Sequence, residues 1–186
     1  MNKPFMLLVP FGKVSGPWLE ELIKELAETF HSQVELTRPL SYPPSAFCFK
    51  RRRFFAHLLI DFLREKAGPV DFVIGLTDAE LYSVNYNSVI SESHFQARAA
   101  VVSVNKLRDF LFGERPEELF LERVFKEILR SFGHMLGLGP CFNPRCVMYP
   151  SLSLVETDLK SSSFCPDCSL KLRLRFGDIP ILRKAA

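Results

Sequence analysis

Apolar residues recur along this chain at two different periods. Over residues 17–31, Leu19, Leu22, Ile23, Leu26 and Phe30 repeat every three or four positions, which puts them on one face of a helix. Pro17 suits its first turn. The same period runs from Lys50 to Lys66 through Phe54, Phe55, Leu58, Leu59, Phe62 and Leu63. It returns in the longest predicted helix, 114–136, where Leu119, Leu121, Val124, Phe125, Ile128, Phe132 and Met135 mark the buried side. Pro116, Glu117 and Glu118 favour the start of that helix, and Gly137 and Gly139 are expected to end it in left-handed conformations. A short basic helix is predicted from Cys168 to Arg175.

Between these helices lie short runs of the other period, apolar or alternating and partly β-branched. Residues 5–9, 33–37, 70–76, 86–91 and 98–104 read as strands. Residues 39–47, with three prolines, and 151–164 read as loops. Helices and strands alternate early, and strands then follow one another. That order predicts an α/β fold with a mixed sheet, without internal repeats.

Composition narrows the picture. Of 186 residues, 47% are hydrophobic and 18 are phenylalanine, enough for a substantial core in one domain. The net charge is only +3, so neither nucleic acid nor an anionic membrane is expected as a partner. The basic run Lys50-Arg51-Arg52-Arg53 reads as a solvated face rather than a phosphate site. No stretch is apolar for long enough to span a bilayer, and the first strand is too short for a secretory signal. The expectation is a soluble, cytoplasmic protein. Its oligomeric state leaves no signal in the sequence.

Four of the five cysteines form two close pairs, Cys141/Cys146 and Cys165/Cys168. That spacing is typical of a closed tetrahedral zinc site. In a reducing compartment, thiolates held by metal are favoured over two disulfides. Iron in the same four-sulfur geometry is the other candidate. One structural Zn2+ is therefore expected on Cys141, Cys146, Cys165 and Cys168, with no ligand position left for water. Cys48 stands apart and reads as a small core residue.

Upstream, the chain reads His134-x-x-Gly137-x-x-Pro140-Cys141-x4-Cys146-Val147-Met148. This frame, with Ile74–Tyr82, Arg98–Ser103, Leu154–Asp158 and the pair Cys165/Cys168, resembles the archaemetzincin family of zinc metallopeptidases. The family signature is His-Glu-x-x-His-x-x-Gly-x-x-His-Cys-x4-Cys-x-Met, followed by Cys-x-x-Cys. The similarity covers roughly residues 70 to 168. It implies a metzincin-like mixed twisted sheet flanked by helices. An N-terminal α/β part, 1–137, would carry the active-site helix, and a small zinc-bound part, 138–186, would complete a single domain. In the family, two histidines one helical turn apart and a third after the glycine hold a catalytic zinc, and the glutamate acts as general base.

This chain departs from the signature where the chemistry resides. Arg130 stands at the first histidine, Ser131 at the glutamate and Pro140 at the third histidine; only His134 is kept. One imidazole does not hold catalytic zinc. A guanidinium stays charged at any useful pH. At about 4 Å and an effective dielectric near 20, it would repel a unit charge by roughly 4 kcal/mol and a dication by about twice that. Arg130 is expected to fill the metal cavity and to pair with Glu127, three residues earlier on the same face. The favoured reading is an archaemetzincin-like protein with a structural zinc and an inactive peptidase site that binds a peptide or protein in its cleft. Two readings remain beside it: an active zinc peptidase with a rearranged site, and a non-enzymatic zinc adaptor.

Overall fold

The computed structural model describes residues 4–108 and 117–177. A five-stranded sheet has the order β2 (Gln33–Leu36), β1 (Phe5–Phe11), β5 (Phe72–Thr77), β8 (Ala99–Ser103) and β7 (Ser91–His94). The first four strands are parallel, and β7 runs antiparallel at the edge. β3 (Phe47–Cys48), β4 (Arg53–Phe55) and β6 (Leu81–Tyr82) form a second, small sheet.

Alternation along the central strands explains the layering. Met6, Leu8, Phe72, Ile74, Leu76, Ala100 and Val102 face one core, under α1 (Trp18–Phe30) and α3 (Glu117–Met135). Val9, Phe11, Val73, Ala99 and Val101 face the other, under α2 (Ala56–Lys66). Both faces are covered, so β5 and β8 are buried along their whole length, and parallel strands of this kind read as unbroken apolar runs. Phe132 ties the first core together, with its ring centroid 4.3 Å from Phe30 and 4.6 Å from Phe72. Among the described residues, no helix is long and apolar enough to cross a membrane.

Several boundaries differ from those expected. The second helix starts at Ala56, not Lys50. Arg52 takes a left-handed backbone at φ 53°, and Phe54 and Phe55 extend as β4 to pair with Leu81 and Tyr82. Stacking outweighs helical periodicity there, since Phe54 lies 4.4 Å from Tyr42 and Phe55 lies 5.1 Å from Tyr82. The strand expected over 86–91 is displaced to Ser91–His94, because the preceding residues turn, with the Ser83 amide bonded to the Tyr86 carbonyl. The predicted loop 151–164 contains α4 (Leu154–Leu159), opened by a reciprocal capping box between Ser153 and Glu156. α5 runs from Pro166 to Phe176. α3 ends at Met135 with only Gly137 left-handed, at φ 88°; Glu114 and Pro116 lie outside the described residues. Cys146, Met148, Phe164 and Leu172 join the main core, so the part after Gly137 packs as a continuation of the α/β layer beneath α3.

Candidate metal centre and the cleft beside it

The two cysteine pairs converge. The Sγ atoms of Cys141, Cys146, Cys165 and Cys168 lie within 4.8 Å of one another. Cys141 and Cys165 are 3.7 Å apart, sulfur to sulfur. A tetrahedron with zinc–sulfur bonds of about 2.3 Å has edges of roughly 3.8 Å, whereas a disulfide would need about 2 Å. Backbone amides point at the sulfurs: Asn143 to Cys141 at 3.5 Å, Met148 to Cys146 at 3.4 Å and Cys165 to Cys146 at 3.3 Å. Such donors favour thiolates. Burial pushes the Cys146 thiol up to about 11 and Cys168 higher still. Burial opposes ionisation of Cys165 too, but hydrogen bonds from the Cys168 amide and the neighbouring thiols carry it downward. Four crowded thiols cannot all ionise unaided, and a cation at their centre removes that obstacle. Among the described residues, this is the one cluster of side chains suited to hold a metal ion.

Beside it, α3 and the edge strand β7 wall a cleft of about 710 Å³. Ser91, Glu92 and Ser93 come from β7, and Glu127, Arg130 and His134 from α3. Gly139, Pro140 and Ser151 close one end. Two glycines permit this shape. A Cβ on Gly133 would run into the Met148 sulfur, and one on Gly137 into the Arg175 guanidinium. Met148, fully buried, therefore packs directly against the helix backbone below the cleft.

Of the four positions that would make a peptidase, three hold something else and His134 is kept. Arg130 lines the cleft, with Nη1 donating to Ser91 Oγ at 3.3 Å and Nε buried without a partner. Ser131 is fully buried with an unpartnered hydroxyl. Pro140 is exposed at the rim. His134 places Nδ1 2.8 Å from the Leu138 carbonyl. A carbonyl only accepts, so Nδ1 carries the proton and Nε2 keeps its lone pair. Burial, with Arg130 adding to it, lowers the His134 pKa to about 4, so the imidazole is neutral at physiological pH.

The expected pair between Glu127 and Arg130 does not form. Glu127 accepts from Lys160 Nζ at 2.6 Å and from Ser91 Oγ at 2.9 Å. Lys160 and Glu127 bury their side chains almost completely, at 0% and 1% exposure. Burial works against the carboxylate, but Arg130 and Lys160 outweigh it and hold its pKa below the ordinary value. Burial lowers the Lys160 ammonium, and Glu127 offsets part of that. The two charges thus depend on each other. With both oxygens engaged, Glu127 is poorly placed to serve as a base.

Lys160 escaped sequence reasoning because it lies in the segment read as a loop. Two buried charges on α3 itself were also missed. Arg123, 2% exposed, holds Asp158 with two bonds of 2.6 Å and reaches the Leu107 carbonyl at 3.1 Å. Lys126 meets Glu122 at 2.7 Å and the Thr157 carbonyl at 3.3 Å. Asp158 closes Leu154–Asp158, the stretch that carried part of the family resemblance, and that was the one available signal.

The geometry agrees with what known proteins show. The sequence model of peptidase family M54 matches residues 43–174. The archaemetzincin of Methanopyrus kandleri is 42% identical over 128 residues, covering 68% of this chain and 70% of that protein. That of Thermococcus kodakarensis is 34% identical over 178 residues, covering 90% and 94%. Among solved structures, the Methanopyrus kandleri archaemetzincin superposes with a TM-score of 0.82 at 33% identity, covering 95% of this chain and 97% of that one. The Archaeoglobus fulgidus archaemetzincin, solved with malonate, gives 0.78 at 29% identity, covering 90% and 99%. This chain belongs to peptidase family M54.

Proposed function

We propose that this chain is a cytoplasmic, non-proteolytic member of the family, held together by one structural zinc on Cys141, Cys146, Cys165 and Cys168, and that it binds a peptide or protein segment in the cleft between β7 and α3. One observation carries the reading: Arg130 and Ser131 on α3, and Pro140 beyond its end, occupy the ligand and base positions of the family signature. The ion, when bound, supplies cross-linking between the chain after α3 and the start of α5. The four sulfurs complete its coordination and leave no place for a reacting water. His134 offers a neutral Nε2 but belongs to no group of three or more potential metal ligands among the described residues. The edge strand supports the binding role. Among the described residues β7 pairs on one side only, with β8, and an extended peptide can add to such an edge.

Elemental analysis of protein purified without added metal tests this reading. One zinc per chain is expected, lost in a Cys165→Ser/Cys168→Ser variant. Two zincs, one of them surviving that variant, would return the chain to the active peptidases. A triple variant, Arg130→His/Ser131→Glu/Pro140→His, is expected to take up a second ion. If it folds and takes up none, the cleft is not a vacated metal site.

A further inference from the structure

The cleft presents a guanidinium, Arg130, that forms no direct ion pair among the described residues. The carboxylate of Glu127 is already engaged by Lys160 and Ser91, and His134 is neutral. Arg130 has a single hydrogen bond, a long one to Ser91 Oγ; its Nε is buried and unpartnered, and it forms no ion pair among the described residues. Arg175 lines the same cleft, with Nη1 on the Leu136 carbonyl at 3.3 Å and its guanidinium 4.9 Å from the Phe95 ring centre. Opposing these is Glu92 on β7, whose Oε2 is buried without a partner and whose Oε1 lies 4.0 Å from His57 Nδ1. The lining thus carries Arg130 and Arg175 against Glu127 and Glu92, and Lys160, behind the lining, engages Glu127.

A guanidinium edge presents parallel N–H groups at the spacing of two carboxylate oxygens. A buried N–H with no acceptor is costly, and a ligand supplying one recovers that cost. His134, one helical turn beyond Arg130, keeps an acceptor lone pair at Nε2, suited to the N–H beside a terminal carboxylate.

We infer that Arg130 makes this pocket a carboxylate-binding site, filled by the C-terminal carboxylate of a peptide or by a small organic acid. The peptide source rests on the binding role proposed above; the carboxylate chemistry rests on Arg130 alone. Where the family signature has a metal ligand, this chain keeps a group that seeks oxygen anions but has no means of activating water.

The test is titration calorimetry with N-acetyl-Leu-Ala-Phe as the free acid and as its C-terminal amide, beside acetate followed by protein NMR shifts. The free acid is expected to bind about tenfold or more tightly than the amide, as a charge-assisted hydrogen bond requires. Arg130→Gln is expected to bring the two peptides level, and Arg130→Lys to restore part of the preference. Arg175→Gln, a milder change near the rim, is expected to lower acid affinity by a smaller factor. Equal binding of acid and amide would overturn the carboxylate site and leave the peptide-binding role standing. Acetate shifts that vanish in Arg130→Gln, with neither peptide bound, would keep the site and remove the peptide as its source. No response to any of the three probes would overturn the inference.

Discussion

The thiol cluster and the cleft face of α3 stand a few residues apart in the chain, yet they retain the family signature unequally. At the first, all four sulfurs are kept within 4.8 Å of one another. At the second, one imidazole of three ligands remains; a guanidinium and a proline stand at the other two, and a buried hydroxyl stands at the base. A closed metal site would cross-link the loop-rich segment after Gly137, so its loss would loosen that segment. Catalytic ligands stabilise nothing once their metal has gone, and can be exchanged so long as the helix still packs.

The sharpest way to break that comparison is to remove a sulfur. Cys168→Ser is expected to lose the zinc and to unfold the region after Gly137, at a cost of several kcal/mol; circular dichroism with metal analysis would show it. A variant that stays zinc-loaded and equally stable would end the structural assignment.

Next in size is the buried ion pair under the cleft. Lys160→Met leaves Glu127 charged and unpaired, and about 3–5 kcal/mol of destabilisation is expected in chemical denaturation. Adding Glu127→Gln should recover much of it, since an uncharged pair needs no compensation. If the single variant is neutral, the pair does not hold α3 to the segment after α4.

Gly133→Ala sharpens the role of Met148. The new methyl meets the Met148 sulfur, and overpacking of this kind costs about 1–3 kcal/mol. Combining it with Met148→Ala should relieve part of the loss in a thermal melt; equal loss in both would point to helix strain instead.

The smallest effect depends on pH. The folded pKa of His134, lowered to about 4, means that the unfolded chain binds a proton before the folded one does. Stability should therefore fall as pH drops from about 6.5 to 4 and then level, by about 2 kcal/mol after allowance for partial solvent screening. His134→Gln should remove that part of the acid slope relative to the unaltered protein. An unchanged slope would mean the imidazole protonates freely in the fold.

Much of this was legible in the sequence, for identifiable reasons. The buried strands and α3 have strict periods, and cysteine spacing encodes a cluster directly. The signature positions could be read one by one because each carries its chemistry in a single side chain. The start of α2 could not be read, since Phe54 and Phe55 satisfy a helical period while their stacking partners, Tyr42 and Tyr82, are distant in sequence. Arg123, Lys126, Glu127 and Lys160 were hidden for the opposite reason. They look like the polar face of an amphipathic helix and a loop, and only the tertiary fold shows them buried against one another. Arg130 lines the cleft, but the pair expected with Glu127 is replaced by Lys160, because helical spacing says nothing of a lysine thirty positions away.

α4 lies between the two cysteine pairs and is strapped to α3 by Asp158 on Arg123, by the Thr157 carbonyl on Lys126 and, just beyond its end, by Lys160 on Glu127. The segment ordered by the sulfurs is therefore the one that braces the floor of the cleft. Such an arrangement makes the ion and any cleft occupant thermodynamic partners: whatever factor the ion adds to the occupant's affinity, the occupant returns to the ion's. Metal availability would then reach the cleft as an effector, through two ion pairs and one hydrogen bond rather than through a bond to the ligand.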